Sequence, residues 1–381
     1  MSTTLSSLFG GGGESLPPIG GGAYLGFSSS IVEGFAGADW LKSGFFLPPI
    51  EAPNAPAGAV AVIWGSVEST FDTSTIRGVA TDANDVWVAV GDTGKAARST
   101  DNGVTWTDIT AAVPFGTSTI RGVATDANDV WVAVGDNGKA ARSTDNGVTW
   151  TDITAAVPFG TSNIQRVATD ANGVWVAVGA SGIAARSTDN GATWTGITAE
   201  VPFGTSTIWG VATDANGVWV AGASDGKAAR STDNGATWTD ITAAVPFGTT
   251  FIWAVHTDAN GVWVAVGQDG KAARSTDNGV TWTDITAAVP FGTSIIRGVA
   301  TDANDVWVAV GADGKAARST DNGVTWTDIT AAVPFGTSII WAVHTDANGV
   351  WVAGGDTGKA ARSTPLVGFS TPVDNLYMRI A

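Results

Sequence analysis

Thr73-Ser-Thr-Ile-Arg-Gly-Val-Ala-Thr-Asp-Ala-Asn-Asp-Val-Trp-Val-Ala-Val-Gly-Asp-Thr-Gly-Lys-Ala-Ala-Arg-Ser-Thr-Asp-Asn-Gly-Val-Thr-Trp-Thr-Asp-Ile-Thr-Ala-Ala-Val-Pro-Phe-Gly116 is a 44-residue unit. It returns, with few changes, from Thr117, Thr161, Thr205, Thr249, Thr293 and Thr337. The unit holds four short β-type runs, Thr75–Thr81, Val86–Val90, Lys95–Ser99 and Thr105–Thr110, separated by turn-forming residues. A period in the forties, rich in Trp, Gly and short β runs, predicts an all-β fold: a seven-bladed β-propeller with one four-stranded antiparallel blade per unit.

The seventh unit has three runs and then meets Pro365, so its outer strand must come from elsewhere. Val60–Ser66 supplies a candidate. Trp64 precedes Phe71 by seven residues, much as Trp106 precedes Phe115 by nine. Pairing this strand with the end of the repeat region closes the ring and removes an exposed sheet edge. The expected organisation is a Gly/Pro-rich docking arm over residues 1–57, a propeller over 58–364 and a tail over 365–381. Within the arm, Ser29–Phe46 is rich enough in apolar residues to dock on a partner or on the propeller itself. In the tail, Leu376–Ile380 reads as a short strand.

Net charge is −16, with no basic stripe, which argues against a nucleic-acid partner. The absence of cysteine removes disulfides, thiol catalysis and thiolate metal sites. There is no apolar run long enough for a membrane span, and the first residues lack the charge and apolar core of a signal peptide.

Six units carry Ser-Thr-Asp-Asn-Gly-(Val/Ala)-Thr-Trp, the first at Ser99–Trp106 and the last at Ser319–Trp326. This octapeptide resembles the Asp-box, Ser-x-Asp-x-Gly-x-Thr-Trp. Residues 58–364 are thus similar to the Asp-box (BNR-type) propellers, which include sialidases, sortilin-type receptors, xyloglucanases and photosystem II assembly factors. The resemblance implies a structural turn at the blade periphery. Asp101, Asp145, Asp189, Asp233, Asp277 and Asp321 are accordingly expected to be scaffold, accepting hydrogen bonds from the turn. Trp87, Arg98 and their equivalents occur in every blade and read as packing and inter-blade bonding.

Function is expected where the blades differ. The third position of the unit reads Thr75, Thr119, Asn163, Thr207, Phe251, Ile295, Ile339; the fifth reads Arg77, Arg121, Gln165, Trp209, Trp253, Arg297, Trp341. The turn between strands two and three also varies, with Gln268 in blade five. These positions gather on one face, at the mouth of the central channel. Arg297, Arg77 and Arg121 would make one side cationic, and Trp209 and Trp253 the other aromatic, a pairing suited to an acidic or neutral glycan. Alternatively, the fifth-position side chains lie between blades. In blades five and seven Trp253 and Trp341 arrive together with Ala and with His256 and His344, which reads as joint repacking; these are the only two histidines, and no metal site is expected from them.

Catalysis is not expected. A sialidase-type site needs a Tyr with a Glu partner, but Tyr24 and Tyr377 lie outside the repeats and Glu200 stands alone in an outer loop. A glycosidase needs a distinct carboxylate pair, whereas the aspartates here recur blade after blade. The layout of arm and β-domain looks like a virion structural or host-adhesion protein. Such a protein would have no cofactor, would be held in a larger particle by residues 1–57 and joined there with other copies, and would have a propeller face for a surface polysaccharide or a protein. The alternative is an assembly factor resembling the photosystem II propellers; a glycoside hydrolase is the third reading.

Overall fold

A computed structural model describes residues 62–365. Seven four-stranded antiparallel sheets follow one another along the chain. In blade one the strands are Ile76–Thr81, Trp87–Gly91, Ala96–Ser99 and Thr107–Asp108, in that spatial order. Each inner strand lies beside the inner strands of both neighbours, and Ile76–Thr81 packs against Ile340–Thr345, so the ring is closed. No helix among the described residues is long and apolar enough to cross a membrane. The docking arm, Ser29–Phe46, Val60 and the tail strand at Leu376–Ile380 lie outside the described residues.

Strand two explains why blades stack. Its Trp-Val-Ala-Val run is apolar at every position because both faces of the sheet are covered, as in any doubly buried strand. Alternation then sorts the side chains. Val132 and Val134 of blade two pack with Phe159 at the end of their own repeat and with Ile164, Trp175 and Ala177 of the next. Valines thus face the following blade, while Trp and Ala face the preceding one. All seven strand-two tryptophans are almost completely buried.

A burial this deep leaves each indole N–H in need of an acceptor. In blade three, Trp175 Nε1 donates to Asn190 Oδ1 at 2.7 Å. Asn190 Nδ2 in turn donates to Asp126 Oδ2 of blade two at 2.8 Å. The other oxygen of Asp126 accepts the backbone N–H groups of Asn128 and Val130. Arg142 of blade two reaches back to the carbonyl of Asn190 at 2.8 Å. The Asn–Asp link joins six of the seven blade pairs.

Asn190 belongs to the octapeptide, so this turn does more than cap a peripheral hairpin. It clasps the preceding blade. Gly191, at φ +76°, shows why: a Cβ there would come within 3.1 Å of Val132 in blade two. Asp189 organises the turn internally. Thr193 donates its hydroxyl at 2.6 Å and its N–H at 2.8 Å, and Ser187 donates its hydroxyl at 2.8 Å.

Two expectations need correction. The outer strands of the six complete blades are two residues long, not six. The reason is local: Thr105 is taken up by Asp101, and Thr110 turns its hydroxyl onto Ala96, so the regular ladder is confined to Thr107–Asp108, with one further bond from the Ile109 N–H to the Ala96 carbonyl. In addition, Pro365 does not stop the third strand of blade seven, which runs Ala360–Pro365. Val62–Val67 pairs with it over six positions, Val62 opposite Pro365 and Val67 opposite Ala360. Proline fits there because the pairing with strand two has already ended at Arg362. Trp64 is buried between blades six and seven, with Val308, Val310 and Trp351.

Two outcomes follow for stability. Removing residues 1–67 should expose the long edge of blade seven, lowering the thermal midpoint by several degrees or more and producing concentration-dependent aggregation in light scattering. An unchanged midpoint would show that closure does not depend on this strand. The second concerns acid. Hydrogen bonds from the Thr193 hydroxyl, then from its N–H, hold the Asp189 carboxyl down to about 2 against the opposing effect of burial. In the other five copies burial opposes the shift more strongly, and the threonine and serine bonds still carry the carboxyl below its ordinary value. A folded-state value below the unfolded one, about 3.9, means stabilisation that is present above pH 4 and is lost as pH falls toward 2. Calorimetric midpoints between pH 5 and 2 should fall, and fall less steeply in Asp189→Asn, which starts from a lower plateau.

Candidate functional site

The sequence differences converge on the channel mouth. Every inner strand carries a β-bulge at the fifth position: in blade one Ile76 pairs with Gly91, but Gly78 pairs with Val90, leaving Arg77 unpaired between them. A bulge re-aims its side chain. Here all seven fifth-position residues reach toward the turns between strands two and three or toward one another, forming a ring. Arg77 lies over the Trp341 ring at 4.1 Å, Arg297 over Trp253 at 4.1 Å and over Trp341 at 4.5 Å. Trp209 and Trp253 have centroids 4.4 Å apart. Arg121 donates to Gln165 Oε1 at 3.3 Å.

This arrangement does not divide into a cationic and an aromatic half. Arg297 sits between two tryptophans, and the two other expected cations are already paired. Arg77 grips Asp92 with Nε and Nη2, each at 2.9 Å, and Arg121 is paired with Asp136. Burial pushes the Asp92 carboxyl up, but the bonds and charge of Arg77 outweigh it and leave the group below its ordinary value. The variable turn and the variable fifth position, fifteen residues apart, thus form one coupled feature. Trp209 donates to Ser224 at 3.0 Å and Trp341 to Asp356 at 2.6 Å.

In three blades the coupling fails. Gln165 faces Ala180, Trp253 faces Gln268 without bonding it, and Arg297 faces Ala312. Trp253 Nε1 and Arg297 Nε are buried without an acceptor among the described residues. The third position reinforces the asymmetry. Thr75 and Thr119 donate to Asp356 and Asp92 of the preceding blades, each at 3.3 Å. Phe251, Ile295 and Ile339 cannot, and stand half-exposed on blades five to seven, with Phe251 5.8 Å from Trp253. Glu200 is exposed on an outer connection, remote from the mouth in the unit.

Below the ring the inner strands enclose a cavity of about 300 Å³. One residue lining it was not anticipated. Arg166 occupies the sixth position of blade three, where the other blades have Gly or Ala. The substitution at this position was visible in the sequence; that it faces the lumen follows from the bulge, which was not. Deeper in the channel, His256 and His344 pack edge-on against Trp307 and Trp87 of the following blades, at 6.3 and 6.2 Å. This gives the joint Trp-Ala-Val-His change its physical partner. No group of three or more metal-ligating side chains lies together among the described residues.

The architecture is similar to solved β-propellers. A chain described as YCF48 bound to D1 peptide matches with a TM-score of 0.64 at 19% identity, over 78% of this chain and 96% of that one. YCF48 from Cyanidioschyzon merolae matches at 0.59 and 18%, over 80% and 99%. A GH74 xyloglucanase from Xanthomonas campestris matches at 0.63 and 18%, over 79% of this chain and 53% of that one. At such identities the likeness establishes the seven-bladed fold. No family model matches the sequence, and no curated protein matches it.

The lumen histidines make a prediction of their own. Burial, and then the neighbouring His256 charge, push His344 down to about 4; burial also lowers His256, partly offset by its bond to the Thr257 carbonyl. Both values lie below that of an unfolded histidine, about 6.5, so the unfolded chain binds more protons between them. Stability should therefore fall as pH drops from about 6.5 toward 4, a window above that of the octapeptide aspartates. His344→Ala, the residue of most blades at this position, should flatten the thermal midpoint across that window. An unaltered slope would remove the histidines from the acid response.

Proposed function

We propose that this propeller is a non-catalytic protein-binding scaffold whose channel-mouth face takes an extended segment of a partner protein. The observation that carries this reading is the half-exposed apolar arc of Phe251, Ile295 and Ile339, beside Trp253 and two donors that lack acceptors. Apolar side chains of a peptide would cover the arc. The likeness to YCF48, a propeller described with a bound peptide, supports the same choice and favours the assembly-factor reading. The octapeptide hydrogen bonds are in keeping with an Asp-box scaffold. They occupy the octapeptide aspartates structurally, and two of the mouth carboxylates, Asp92 and Asp136, are held by arginines. The virion-adhesion reading draws on residues 1–57, which lie outside the described residues.

Selection from a displayed random-peptide library against the full chain should enrich peptides with clustered apolar residues. Replacing Phe251, Ile295 and Ile339 together by Thr, the residue of blades one, two and four, should weaken the selected peptides about tenfold or more in fluorescence anisotropy. Equal affinity for the variant would overturn the reading. So would saturable binding or turnover on a polysaccharide panel in the absence of any enriched peptide.

A further inference from the structure

The lumen has a charge opposite to that of the protein around it. In a chain of net charge −16, the cavity is lined by four arginines and two histidines, with no carboxylate among its described lining residues. Two of the arginines are compensated at the mouth: Arg77 by Asp92 and Arg121 by Asp136. Arg297 is held between the faces of Trp253 and Trp341. Arg166 has no counter-charge among the described residues.

The geometry of Arg166 is specific. Its Nη1 donates to the carbonyl of Arg121 at 2.8 Å and to that of Gln165 at 2.9 Å. Two carbonyls on adjacent blades thereby fix the plane of the guanidinium. The remaining edge, Nε with Nη2, donates to nothing among the described residues. This is the edge with which Arg77, one sheet away from the neighbouring blade, grips both oxygens of Asp92. A planar fork with fixed orientation is the donor set that matches a two-oxygen acceptor, and Arg supplies it where Lys cannot. Space is also available: a carboxylate group fits readily within about 300 Å³.

The position is costly to fill with a cation unless something compensates it. At the sixth position a Cβ points at the neighbouring inner strand; on Gly210 it would sit 3.1 Å from the Ala254 Cα. Small residues are the rule there for that reason. Blade three departs from the rule with the largest cation available. Burial, followed by the charges of Arg121, Arg77 and Arg297, pushes the Arg166 guanidinium down to about 10. Desolvation and like-charge repulsion thus act together on a group with an unused fork.

We propose that the central channel is a carboxylate-binding site, in which the Nε–Nη2 edge of Arg166 receives both oxygens of a carboxylate from a small free acid or from an acidic side chain of a peptide. The site lies below the apolar arc of the mouth and needs no contact with it, so it goes beyond the peptide-binding reading and stands without it.

Titration of the full chain with acetate, followed by saturation-transfer difference NMR on the methyl signal, tests the site with a probe that needs no peptide. The wild-type chain should give a saturable signal. Arg166→Gly, which installs the residue of blades one, two, four and six, should keep the thermal midpoint and abolish the signal. Arg166→Lys, retaining charge without the fork, should bind at least about tenfold more weakly. A capped tetrapeptide with one Asp, compared with its Asn analogue, separates the two sources. Displacement of acetate by the Asp form alone assigns a side-chain carboxylate, and failure of both forms with acetate still bound assigns a small free acid. A non-saturable acetate signal, or one unchanged in Arg166→Gly, overturns the proposal. Either result is independent of whether the selected mouth-binding peptides bind.

Discussion

The structure rests on the clasp that runs from a buried tryptophan to the preceding blade: indole N–H to asparagine carbonyl, asparagine amide to aspartate, aspartate to two backbone N–H groups. Every member is satisfied, and the aspartates that receive it are 2–3% exposed. Such a network is favourable only while complete, because each orphaned buried donor costs about 1–3 kcal/mol. Near-identity of the repeats follows. A change at Asn190 would strand both Trp175 and, in the preceding blade, Asp126.

The clasp is missing at one joint, and the ring shows the consequence. Asp302 of blade six has no asparagine to receive among the described residues, and it is half-buried where its six counterparts are buried. Arg318 of the same blade has a buried Nε without an acceptor among the described residues. This seam between blades six and seven is where the repeat region ends. Blade seven instead carries a six-position ladder within its own sheet, between Val62–Val67 and Ala360–Pro365, and Trp64 packs between it and blade six. A long outer strand at one blade and two-residue outer strands at the others are two solutions to one problem. Blades held by side-chain clasps need little edge pairing, and the blade that lacks a clasp has more of it.

The repeat made most of this legible. Strand number, blade number, the borrowed outer strand and the scaffold role of the octapeptide all follow from residues that recur at a fixed interval. Three features did not. The outer strands are short because Thr105 and Thr110 bond locally, a competition that β propensity does not record. Arg77 and Arg121 are occupied because the residue fifteen positions on is an aspartate, and this pairing across a turn becomes visible only when the strands are folded against each other. Arg166 was passed over because period-two alternation assigns the sixth position to a different side from the fifth. The bulge breaks that alternation and turns both toward the channel end.

The mouth and the lumen can vary because the clasp does not involve them. It fixes the octapeptide face of each blade, while the bulged inner strand and the turn opposite it contribute nothing to the Trp–Asn–Asp link. Substitutions there alter only local pairing, and in blades one and two the pairing was kept by changing both partners. In blades three, five and six it was not kept. Those blades hold the unpaired groups: Arg166, the Trp253 indole and Arg297. Unsatisfied donors thus gather at the channel, with apolar side chains at its rim, beside the Arg318 Nε left at the seam. The donors are cationic or N–H groups without exception, so what they lack in common is an oxygen acceptor. The described lining of the lumen holds no carboxylate, so water or an added ligand is what can supply that acceptor.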